Sequence, residues 1–185
     1  MKLPIVAYGD PVLKKVCAPI EATYPDLQQL ISNMFETMYN ASGVGLAAPQ
    51  IGLSIRLFIV DTGGDDDKDR YKKVFINAEI LEETGEPWAF NEGCLSIPDI
   101  REDVMRKPNV RIKYYDENWE LHEDEVTGMP ARVIQHEYDH IQGTLFTDKL
   151  GLLRKRMLKS KLDAISKGNI KADYKMRYPN QSRRR

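Results

Sequence analysis

With 185 residues, 42% of them hydrophobic and 30% charged, the chain has the length of one compact domain and the composition of an ordinary globular protein rather than a disordered or fibrous one. No apolar run approaches the length of a membrane span, and the opening MKLPIVAYGD has neither a secretory apolar core nor an Arg- and Ser-rich transit helix, so the expected location is cytoplasmic. The net charge of −1 hides an asymmetry: residues 149–185 hold 13 Lys/Arg and 2 Asp (+11), against 14 Lys/Arg and 26 Asp/Glu (−12) before them, and a basic C-terminal segment suits an anionic partner or a plain solvated face.

Residues 24–41 read as an amphipathic helix, with Leu27, Leu30, Ile31, Met34, Phe35 and Met38 at helical spacing, Thr23 as the N-cap, and a stop near Ser42-Gly43. The middle of the chain is β-rich. Ile55–Asp61, Lys73–Asn77, Glu79–Glu86 and Asn109–Tyr115 are strand candidates, and Trp119–Val126 alternates after a turn at Asp116-Glu117-Asn118. Gly63–Asp69 reads as a flexible surface loop whose acidic residues lack the spacing of a calcium loop. A second helix is expected over Met129–Gln142, capped by Thr127 and ended by Gly143, and a third over Leu150–Ile165, whose stripe Leu150, Leu153, Met157, Leu158, Leu162 and Ile165 is assigned to packing. There is no internal repeat and no linker. The order helix, strands, helix, helix predicts an α+β domain.

The chemistry concentrates at His136-Glu137-Tyr138-Asp139-His140. Side chains four apart on a helix stand one turn apart on one face, so both imidazoles can grip one ion, while Glu137 can address a water rather than the ion. The chain has three histidines, and two lie here. Asp139 is either an acceptor behind the ligands or a solvated charge, and the solvated reading is preferred. A catalytic site needs a third protein ligand and an open position. Phe146 stands where the long H-E-x-x-H-x-x-G-x-x-H pattern needs a histidine, and no glutamate follows Glu137. The candidates left are His122, Cys17, Cys94 and a few aspartates. Cys94 has the best local chemistry, because Gly93 beside it permits close approach and a thiolate is a strong ligand for Zn²⁺ or Fe²⁺. Cys17 reads as a small buried hydrophobe, and His122 is expected to face solvent.

Three segments together resemble the peptide deformylase family: Gly43-Val44-Gly45-Leu46-Ala47-Ala48-Pro49-Gln50, Glu92-Gly93-Cys94-Leu95-Ser96 and Gln135-His136-Glu137-Tyr138-Asp139-His140, with Tyr8-Gly9-Asp10-Pro11-Val12-Leu13 similar to the family's start. The resemblance spans about residues 3–165 and is of the bacterial class with a helical C-terminus. It implies antiparallel sheets around a central H-E-x-x-H helix, with an N-terminal and a C-terminal helix. Residues 1–166 would form a single catalytic domain and 167–185 a basic extension. It implies removal of the formyl group from N-formyl-methionyl nascent peptides. Cys94, His136 and His140 would hold one Fe²⁺, or Zn²⁺ as the alternative; Glu137 would do acid–base work; the Gln50 side chain and the Leu95 N–H would meet the oxyanion. Val44, Gly45, Glu92, Gly93, Met129 and Val133 would bind substrate, with Arg106 holding Glu92.

Two neutral imidazoles and one thiolate leave a divalent site at a formal net charge of +1, which places more of the work on Glu137. The glycines flanking Val44 read as close backbone passage beside a substrate that adds as a β-strand. A deformylase must meet chains leaving the ribosome, and the basic segment could dock there. Two other readings stay open: a different metal-dependent amidase or peptidase on the same helix, and a non-enzymatic module with a structural metal and a nucleic-acid-binding tail.

Overall fold

The computed structural model describes residues 1–63 and 70–179. The expectation for residues 64–69 therefore lies outside the described residues. In chain order the elements are β1 (Ile5–Val6), α1 (Leu27–Asn40), β2 (Gly45–Ala47), β3 (Leu57–Asp61), β4 (Lys72–Thr84), β5 (Trp88–Cys94), β6 (Ile97–Arg106), β7 (Asn109–Tyr115), β8 (Leu121–Thr127), α2 (Gly128–Ile141), α3 (Leu152–Ser166) and β9 (Met176–Arg177). Five strands form an antiparallel sheet in the order β2-β3-β4-β7-β8; β5 and β6 form a separate hairpin; β1 pairs with β9 in parallel. This is the expected α+β arrangement, with α2 at its centre. No helix among the described residues is long and apolar enough to cross a membrane.

Helix α1 starts at Leu27, with the first residue of its apolar pattern, rather than at residue 24, and Asp26 rather than Thr23 stands in the N-cap position. Asp26 sits in the left-handed region at φ 54, so the turn before Leu27 cannot be helical. Leu27, Ile31, Met34 and Met38 are buried against Leu46, Leu57, Ile59 and Ile76 of the sheet. The two strands expected at Lys73–Asn77 and Glu79–Glu86 are one strand, β4, carried past an irregularity at Asn77 (φ 52). The Asn77 side chain bonds both the N–H (2.9 Å) and the C=O (2.7 Å) of Ile20, which tethers the N-terminal segment to the bulge.

Helix α2 is buried on most sides. Ala131, Ile134 and Ile141, on one stripe, join Phe58, Phe75, Val110 and Ile112 in the sheet's apolar cluster, where Cys17 also lies. The packing stripe assigned to α3 is narrower than expected. Leu158, Leu162 and Ile165 are buried, whereas Leu153 and Met157 are 73% and 61% exposed. Residues 170–178 do not trail into solvent: Ile170, Met176 and Tyr178 pack on the cluster that holds Ile97, Leu145 and Phe146.

Candidate metal centre

Three stripes run along α2, and the site uses two of them. His136 and His140 stand one turn apart, and the turn joining β5 to β6 brings Cys94 to them. One donor atom from each of Cys94, His136 and His140 lies within 4.8 Å of the others, and Cys94 Sγ is 3.3 Å from His140 Nε2. A tetrahedral ion with ordinary metal–sulfur and metal–nitrogen bonds would hold such atoms about 3.5 Å apart, so the donor set fits a divalent metal in size as well as in chemistry. Among the described residues, this group contains no fourth donor of the His, Cys, Asp or Glu type.

Glu137 is buried, and its Oε2 has no hydrogen-bond partner among the described residues. Burial pushes its carboxyl up to about 7, against the pull of His136 and Arg106. The room for it comes from Gly45: a Cβ there would sit 2.5 Å from Glu137 Oε1. The second glycine of the Gly-Val-Gly segment is therefore demanded by the carboxylate of Glu137. Gly45 also lines the cleft, so this steric demand adds to the substrate-facing expectation and does not replace it. His140 is held well below its usual range by burial, then by the neighbouring His136, so its ring stays neutral and able to ligate.

Behind the donors lies a buried charge network. His136 Nδ1 is 2.9 Å from Glu92 Oε2, leaving its other ring nitrogen for the donor cluster. Arg106 donates to both oxygens of Glu92 (2.7 and 3.0 Å) and to Asp139 (2.8 Å). Arg132 donates to Glu92 (2.7 Å), to the Val104 carbonyl (3.0 Å) and to the Trp88 carbonyl (2.6 Å), with its guanidinium over the Trp88 ring. Burial works against a charged Glu92, yet the hydrogen bonds from His136 and Arg106 hold its carboxyl well below the ordinary range. With both oxygens taken, Glu92 offers the cleft an oriented imidazole rather than a free carboxylate. The preference for a solvated Asp139 is overturned, because this carboxylate is bound to Arg106 and Lys149.

A cleft of about 640 Å³ opens onto these groups. Val44, Gly45, Gln50, Glu92, Gly93 and Cys94 line it, as do Leu95, Met129, Val133, His136 and Glu137; His140 lies behind the wall. Gln50 is buried, and its Oε1 accepts the Ala47 N–H at 2.8 Å. That bond fixes the side-chain amide so that its NH₂ faces Cys94 Sγ (3.5 Å) and Ser96 Oγ (3.4 Å). His122 stands apart from this centre. It is half-buried, stacked on Tyr114 and 2.8 Å from Asp116, contrary to the solvent-facing expectation. Sequence reasoning missed Arg132, whose type and position on an apolar helix gave no signal, and Lys171–Tyr174, which also line the cleft.

An α+β domain whose H-E-x-x-H helix meets a cysteine at the wall of a cleft has the donor set and the carboxylate expected of a hydrolase that could hold a metal. The family model described as Polypeptide deformylase matches residues 2–156. The chain is 58% identical to a peptide deformylase of Christiangramia forsetii, with the whole of both chains covered. It superposes on the crystal structure of a peptide deformylase from Legionella pneumophila with a TM-score of 0.82 and 39% identity, covering 91% of this chain and 98% of that one. It is also similar to a Met-ala-ser bound class I type b peptide deformylase from Acinetobacter baumannii, at TM-score 0.74 and 38% identity, over 81% of this chain and 99% of that one. The chain belongs to the polypeptide deformylase family, enzymes that remove the formyl group from nascent peptides.

Proposed function

We propose that this enzyme is a metal-dependent hydrolase that takes the formyl group from N-terminal formyl-methionine and releases formate. The observation that carries the reading is the convergence of Cys94, His136 and His140 beside the unengaged Glu137 oxygen on one cleft. Those three residues would hold one divalent metal, Fe²⁺ on the family resemblance and Zn²⁺ as the alternative, which would supply Lewis acidity and make a proton easier to remove from the attacking water. Glu137 takes the water's proton and returns it to the departing amine. The Gln50 amide and the Leu95 N–H meet the charge that builds on the formyl oxygen, and a donor of this kind typically contributes ~10²–10³ in rate. A donor set with three members supports this reading over a closed structural site.

Substrate enters along β2, an edge strand whose only sheet neighbour among the described residues is β3. A peptide can add to the free edge beside Val44 and Gly45, with Glu92 and Gly93 on the facing wall and the methionine side chain against Met129 and Val133. All of these groups lie within residues 1–166, the proposed catalytic domain. The basic segment 167–185 is proposed to meet the ribosome surface in the cytoplasm; ribosome binding that keeps its salt dependence after that segment is removed would exclude it. The decisive experiment is anaerobic purification with metal analysis, followed by formate release from formyl-Met-Ala-Ser. Stoichiometric metal and formate are expected, with formyl-Met-Ala strongly preferred to formyl-Asp-Ala. Internal peptide cleavage without formate overturns the reading, and equal rates on the two dipeptides remove the methionine pocket.

A further inference from the structure

One wall of the cleft comes from Lys171, Ala172, Asp173 and Tyr174, beyond the span that the family model matches. The A. baumannii structure aligns over 99% of its own length and leaves about a fifth of the present chain without a counterpart. This wall is built in by specific contacts. β9 runs beside β1, with the Ile5 N–H bonded to the Lys175 carbonyl and the Ala7 N–H to the Arg177 carbonyl, both at 2.9 Å. The Arg177 guanidinium lies against Gly52, where a Cβ would approach it to 2.6 Å, just after the turn that carries Gln50. The Tyr174 hydroxyl donates to the Leu95 carbonyl at 2.8 Å, and the Tyr8 N–H donates to the Ser96 carbonyl at 2.8 Å. The two ends of the chain, paired to each other, thus pin the turn that presents Cys94 and Leu95.

We infer that Lys171–Tyr174 is a working wall of the substrate cleft, recognising the peptide residues that follow formyl-methionine, and that Tyr174 is a positioning residue for the Leu95 turn. This rests on the deformylase reading above. The physical reason is that the Leu95 N–H can serve as an oxyanion donor only if the turn is held still, and the Tyr174 hydroxyl on the Leu95 carbonyl anchors the peptide unit that follows, limiting rotation about the Leu95 Cα without that hydroxyl touching substrate. The substrate's chain beyond methionine leaves through a cleft bounded by Ser42–Gly45 and by Lys171–Tyr174. At that second boundary Lys171 and Asp173 are exposed, and the half-buried Tyr174 ring provides a surface for a peptide to pack on.

The test uses the full chain with metal bound and three variants: Tyr174→Phe, Tyr174→Leu and Lys175→Ala, the last as an exposed control outside the cleft. Initial rates are measured on formyl-Met-Ala and formyl-Met-Ala-Ser, with melting temperature, metal content and calorimetric affinity for the product Met-Ala-Ser. Tyr174→Phe lowers kcat about fivefold on both substrates with KM and metal content unchanged, while the loss of one neutral hydrogen bond lowers the melting temperature by only a few degrees. Tyr174→Leu lowers kcat likewise, raises KM several-fold only on the longer peptide, and weakens Met-Ala-Ser binding in the same ratio. Lys175→Ala changes none of these. Wild-type kcat in Tyr174→Phe overturns the positioning role, and unchanged KM and product affinity in Tyr174→Leu overturn the wall. Wild-type protein that binds Met-Ala-Ser but releases no formate overturns the deformylase reading instead, leaving product affinity to judge the wall.

Discussion

The two sides of α2 are stabilised by different physics. On the sheet side Ala131, Ile134 and Ile141 sit among Phe58, Phe75, Val110 and Ile112, where removal of apolar area from water contributes roughly 25 cal/mol per Å² and direction matters little. On the opposite side Arg132, His136 and Asp139 meet Glu92 and Arg106, four formal charges and an imidazole taken out of water together. Such a network gains little net stability over apolar packing, but it fixes direction, because each partner is bonded at a set angle. The metal ligands are oriented from the polar side and the helix is anchored from the apolar side. Substitutions on the two sides should therefore separate function from stability.

The largest effect belongs to the stripe between them. Glu137→Ala should lower formate release by about 10²–10⁴ while metal content stays at the wild-type level, since acid–base catalysis contributes about that much. A metal-loaded variant with normal turnover would take Glu137 out of the reaction. Arg132→Met, on the polar side, breaks the links from α2 to the Trp88 and Val104 carbonyls while Arg106 and His136 keep Glu92 paired. A loss of about 3 kcal/mol in urea unfolding is expected, with a smaller drop in kcat than in Glu137→Ala. If kcat falls as far as it does in Glu137→Ala, the network orients the site through Arg132 and not through Arg106 alone.

A smaller effect sits at the end of β3, where the sheet holds a buried carboxylate of its own. The Arg70 guanidinium beside Asp61, then the Tyr39 hydroxyl and the Gly63 N–H, hold its carboxyl down to about 2 against its burial. The folded value lies below the unfolded value of about 3.9, so the contribution is fully present above pH 4 and is lost as pH falls through about 2. Asp61→Asn should cost about 1–2 kcal/mol at pH 7, a figure reduced for the partly exposed Arg70, and the gap to wild type should narrow as pH falls below the unfolded value and close only below about pH 2 in urea titrations. A gap independent of pH would assign the loss to shape rather than charge.

Much of this was legible in the sequence because its signals are local. His136, Glu137 and His140 follow from helical spacing, and Leu27, Ile31, Met34 and Met38 from apolar periodicity. The β5–β6 hairpin was not legible, although β6 alternates in burial from Asp99 to Arg106, because its inward positions there include Glu102 and Arg106 beside Ile100 and Val104. A pattern of hydrophobic residues cannot register a strand that buries charge. Asn77 joined two expected strands into one because its bonds to Ile20 span a long stretch of sequence. The wall at Lys171–Tyr174 depends on a two-residue parallel pairing with β1, which no local periodicity encodes. Cys94 was singled out by elimination and by thiolate chemistry beside Gly93, then by the three matched segments, rather than by periodicity, and the structure places it with the histidines.

The smallest effect tests the comparison most sharply. Ile134 is fully buried on the sheet side, and Ile134→Val removes one methylene from that cluster without altering charge, hydrogen bonds or the ligand stripe. Such a change costs about 0.5–1.5 kcal/mol, which in a chain of this size lowers the melting temperature by about 2–4 °C. Because orientation of His136 comes from Glu92 on the other side, kcat and KM for formyl-Met-Ala-Ser should stay at their wild-type values. A substantial fall in kcat with the same modest loss of stability would mean that small shifts of the helix reach the donor atoms despite the charge network, and that the apolar side, too, sets the geometry of the site.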